Sequence, residues 1–95
     1  MKFGPDVKNL MRKLLEGYVF YFSNDMLNTE GRKIFEEMAR MLIDECPELK
    51  PMVKRARRNP KLENIMKLAK IILGDEAEKL PLLSVQGPYY YLFEK

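Results

Sequence analysis

Histidine and tryptophan are both absent from this 95-residue chain. Without His, the usual general base and the commonest metal ligand are missing. One cysteine, Cys46, cannot close an intramolecular disulfide, so an intracellular, cytoplasmic setting is expected. The five Gly are scattered and form no phosphate-cradling loop. No Asp/Glu run has calcium-loop spacing, so no metal and no cofactor are expected. The hydroxyls of Ser23 and Ser84 and the Cys46 thiol have no base in a recognisable motif nearby. We therefore expect a non-catalytic protein. The N-terminus shows no apolar run of signal-peptide length, and stretches such as Tyr18 to Phe22 fall far short of a membrane span. Gln, Thr and Ser are scarce beside Lys and Glu, a balance with a thermophile flavour.

What is present suits one small domain. At 46% hydrophobic and 33% charged, the chain can build a modest core and is not a disordered tail. The apolar period predicts helices over about 6–23, 29–46, 48–58 and 60–74, with a non-helical tail over 81–95. Asp6 behind Pro5 reads as the first N-cap, and Asn28 or Thr29 as the second. Strand-like composition at Tyr18–Phe22 leaves a short strand as the alternative there. Lys33–Glu37, Glu36–Arg40 and Arg40–Asp44 are spaced for ion pairs along the second helix. Asn59-Pro60 reads as N-cap and N1 of the fourth helix, and Gly74 as its stop. The expected fold is all-α: a small four-helix domain with an extended aromatic C-terminal tail. The second and fourth helices are expected to form its core.

The charge is unevenly placed. Lys50, Lys54, Arg55, Arg57, Arg58 and Lys61 fall in twelve residues without one acid. The chain carries 17 basic and 14 acidic residues, so this segment alone accounts for its positive balance. On a helical wheel Lys50, Lys54, Arg57 and Arg58 share about one quadrant, opposite Leu49, Met52, Val53 and Ala56. Several cations on one exposed face suit phosphate neutralisation and counterion release, and Arg can grip two phosphate oxygens at once. Lys67 and Lys70 are expected towards the same side. The plainer reading is a solvated helix face. Solvated faces usually mix signs, however, as the second helix does. DNA or RNA contacted with little sequence specificity is the partner this segment implies.

The aromatics also cluster. Tyr18, Phe20, Tyr21 and Phe22 form one group; Tyr89, Tyr90, Tyr91 and Phe93 form another. The second group folding back onto the first helix is the bland account. The tail is apolar on both sides of its alternation, which suits a partner surface and a homo-oligomer. Stacking on single-stranded bases is a third reading. Two functions from different classes follow: a nucleic-acid-binding helical protein, or an assembly module acting through the Tyr-rich tail.

Overall fold

The computed structural model describes residues 3–79, and these form an all-α domain. The expected aromatic tail, with Tyr89, Tyr90, Tyr91 and Phe93, lies outside the described residues. Helix α1 spans Pro5–Glu16 and α2 is a single turn, Tyr18–Tyr21. Strands β1, Phe22–Ser23, and β2, Met26–Leu27, pair antiparallel. Then come α3, Thr29–Glu45, a 3-10 turn at Pro47–Leu49, and α4, Lys50–Arg58. Helix α5, Leu62–Leu73, and a 3-10 segment, Gly74–Lys79, complete the described chain.

The first helix is shorter than its period implied. It is capped by Gly4 rather than Asp6, with Pro5 in the first turn, where a missing N–H costs little. Asp6 instead sits inside that turn, where its charge still favours the helix dipole. Val7, Met11, Leu14 and Leu15 recur at three- and four-residue steps, and all are fully buried. Gly17 then breaks the helix, and the Tyr21 ring folds over the space a side chain would need. The question left open at 18–22 resolves both ways, since a helical turn runs directly into a strand. Asn24 and Asp25 both take positive φ, 52° and 64°. Asn and Asp tolerate this conformation, and two such residues make the tight hairpin turn that matches strand twist. Phe22 and Leu27 face each other across the pair and are buried.

The core is organised by α1, not by α3 and α5 alone. Helix α1 packs against both of them, and most closely against α3. The two run antiparallel: Glu45 at the end of α3 accepts from the Gly4 N–H at the start of α1, 2.8 Å. Phe35, Met38, Ala39 and Leu42 are the α3 side of this contact, and Ile65, Leu68, Ala69 and Ile72 come from α5. A fully buried Leu- or Phe-sized side chain contributes roughly 1.5–3 kcal/mol. Val53 and Ala56 fix α4 to this core. The expected i,i+4 pairs on α3 give way to others. Lys33 pairs with Glu30 at 3.2 Å, and Glu36 reaches across to Arg57.

The Asn59-Pro60 pair does not start the last helix, which begins at Leu62 with Lys61 as its N-cap residue. Pro60 is buried, and its carbonyl accepts from the Leu27 N–H at 3.0 Å. The Leu62 N–H donates to the Asp25 carbonyl at 2.7 Å, and Met26 and Lys61 form an antiparallel bridge. The segment before α5 thus serves as a third edge for the hairpin. A proline suits it because only its carbonyl is needed.

Two outcomes test this packing. A Cβ on Gly31 would lie 2.3 Å from the Tyr21 carbonyl oxygen. That carbonyl already accepts from the Asn28 N–H and cannot easily withdraw. Gly31→Ala gains helix propensity of roughly 0.5–1 kcal/mol. The overpacking outweighs it, for an expected net loss of about 1–2 kcal/mol. The thermal midpoint should fall by roughly 4–8 °C per kcal/mol, and an unchanged or raised midpoint would refute the contact. Second, Arg12 on α1 grips both Glu76 oxygens, with Nη2 to Oε1 at 3.1 Å. These bonds hold the Glu76 carboxyl below its ordinary 4.5. A depressed carboxyl stabilises the fold above its ordinary pKa and ceases to do so as pH falls through the folded value. Glu76→Gln should therefore lower the midpoint at neutral pH and not in strong acid. An equal difference at both would show that the charge is not involved.

Candidate nucleic-acid interface

The basic segment forms α4 and the turn after it. Lys50, Lys54, Arg55, Arg57, Arg58 and Lys61 are all exposed. The helix forms because Leu49, Met52, Val53 and Ala56 give it an apolar side, with Pro51 harmless in its first turn. Asn59 ends it, its N–H donating to the Arg55 carbonyl at 2.9 Å. The wheel places Arg55 on one flank of α4 and Arg57 on the other. Each flank meets a different helix. Arg55 shares a narrow cleft with Asn64 and Lys67 of α5. Arg57 donates from Nε to the Glu36 carboxylate of α3 at 2.8 Å. Lys50, Lys54 and Arg58 lie between these flanks, and Lys61 follows at the start of α5.

The electrostatics separates what the fold needs from what it does not. Arg55, Arg57 and Arg58 lie in the last turn of α4, where cations complement the helix dipole. Lys50 begins the helix, where a cation opposes that dipole, and no acid lies in the first turn. The Arg57–Glu36 pair leaves both side chains 41% and 45% exposed, so solvent screens it to a fraction of a kcal/mol. Among the described residues, Lys50, Lys54, Arg55, Arg58 and Lys61 make no ion pair. Fold stability therefore explains only part of this face.

A second feature lies beside it. An open groove of about 790 Å³ runs along α3, lined by Leu27, Asn28, Arg32, Lys33, Glu36 and Arg40 among others. Glu36 is the acid on this wall, and it is the residue Arg57 holds. The groove therefore joins the flank of α4 through that pair. Arg32, Lys33, Glu36 and Arg40 are a helical stripe visible in the sequence. There they read as part of a mixed polar face, because nothing in the spacing shows that the hairpin walls one end. Lys67 shares the cleft with Arg55, as expected.

Other chemistry is thinly represented. Among the described residues no group of three His, Cys, Asp or Glu side chains could hold a metal ion. Cys46 is buried, and burial together with Glu48 pushes its thiol up, away from the reactive thiolate. Among the described residues no helix is long and apolar enough to cross a membrane. Comparison of the chain with known protein families, curated proteins and solved structures finds no match.

Proposed function

We propose that this protein binds nucleic acid, without catalysis, by placing the cations of α4 and the following turn on phosphates. One observation carries the reading. Six basic side chains are exposed on α4 and the turn after it, and five of them make no ion pair among the described residues. A solvated face kept only for solubility would gain from interleaved acids. This face has none between Lys50 and Lys61. Long, exposed Lys and Arg side chains neutralise phosphates and release condensed counterions, a driving force that needs no base readout. Arg55, which makes no ion pair among the described residues, would grip phosphate oxygens in pairs, and the Lys would act as point charges. Low sequence specificity follows, since these groups address the backbone of the nucleic acid.

Anisotropy of labelled nucleic acid across a salt series tests this. Four to six phosphate contacts on a duplex give a log–log slope of about −4 to −5. Arg55→Ala, Arg57→Ala and Arg58→Ala combined should reduce the slope by about 2 to 3. The exposed positions predict that circular dichroism and the thermal midpoint stay close to the parent's. A triple variant that binds as the parent does would overturn the assignment of this face. Absence of binding at low salt would overturn the function itself.

A further inference from the structure

The turn at α2 leaves Phe20 73% exposed and Val19 62% exposed, in a domain that buries Phe3, Phe22 and Phe35. A ring this exposed gains little from folding, since it stays in water as it does in the unfolded chain. Its position is fixed, not frayed. The Asn28 side-chain amide donates to the Phe20 carbonyl at 2.8 Å, and the Asn28 N–H donates to the Tyr21 carbonyl at 2.9 Å. Asn28 is itself a wall of the α3 groove. The Phe20 backbone is therefore joined through Asn28 to a groove carrying Arg32 and Arg40, together with Lys33, which is paired with Glu30. Glu36, the acid on that wall among the described residues, is already held by Arg57.

We infer that Phe20 is a stacking platform for an unpaired base. The α3 groove carries the backbone of that same strand, so the preferred ligand is single-stranded nucleic acid. The inference rests on the phosphate-binding reading of α4 and narrows its substrate. Single-strand binding combines a cationic groove that tracks the backbone with an aromatic face for the bases; here the groove is walled by Asn28, whose amide also holds the Phe20 carbonyl. A duplex keeps its bases stacked on one another and has none to offer Phe20. The charge of the groove argues for a polyanion over an apolar protein partner. Val19, beside the ring, gives the sugar an apolar surface.

The chain has no Trp, so Phe20→Trp creates a single indole at the ring in question, excited selectively over the five Tyr. Titration uses oligothymidylate and a duplex of equal length, at several salt concentrations. The free variant should emit as an exposed indole, and oligothymidylate should quench it while the duplex does not. Phe20→Ala should weaken oligothymidylate binding by about tenfold, the effect of one lost base stack, and leave duplex affinity unchanged. Salt-dependent oligothymidylate binding without quenching would overturn the stacking role and leave the phosphate reading of α4 standing. Blue-shifted emission from the free variant, unmoved by oligothymidylate, would show the ring already covered and would overturn it equally. Failure of both nucleic acids to bind at low salt would remove both readings together.

Discussion

The backbone pairing between the hairpin and the segment before α5 is the constraint on which the rest depends. Two hydrogen bonds, from Leu27 to Pro60 and from Leu62 to Asp25, join chain segments some thirty-five residues apart. They set where α4 ends and α5 begins, and so where the basic turn stands relative to α3. Asn28 extends the same junction. Its Oδ1 accepts from the Gly31 N–H as the cap of α3, and its amide holds the α2 turn. An uncapped helix start leaves N–H groups unsatisfied, and a typical cap contributes about 1 kcal/mol. One side chain therefore fixes the start of α3 and the position of Phe20.

From that junction the charge distribution acquires a geometry. Helix α4 lies with its apolar side on the core and a flanking Arg on each side. Arg57 ties it to α3, and Arg55 faces Lys67 on α5. The pair with Glu36 is too exposed to stabilise much. It also leaves Glu36, on the wall of the α3 groove, charge-compensated by Arg57. Under the proposed function, the stripes on α3 and α4 would act on one polyanion, an arrangement that neither helix has alone.

Much of the helical layout was legible because buried faces impose a period. Ile65, Met66, Ala69, Ile72 and Leu73 recur as a helix demands, and Gly74 ends the run with a positive φ of 63°. The Asn28 cap and the helix that ends at Arg58 were similarly accessible, whereas the 3-10 turn at Pro47–Leu49 was not. The period failed at Tyr18–Leu27. There the apolar residues continue across a helical break, a single turn and a hairpin. Two cues were present: Gly17, and Asn24-Asp25 as adjacent residues tolerant of positive φ. Pro60 misled for a related reason. A proline after Asn resembles a helix start, and only its long-range partner Leu27 shows that its carbonyl serves the hairpin. The exposure of the α4 cations followed from their wheel positions. The α3 groove and the exposed Phe20 did not, because both depend on how distant segments meet.

The central claim is that α4, the α3 groove and the α2 turn form one surface for nucleic acid. Chemical-shift mapping on isotopically labelled protein, titrated with a short unlabelled oligonucleotide, tests it most directly. The account predicts that the largest shifts cluster at Lys50–Lys61, at Arg32–Arg40 and at Val19–Phe20, with the α1–α5 core unmoved. Shifts confined to the aromatic segment at Tyr89–Phe93, or none at low salt, would contradict it.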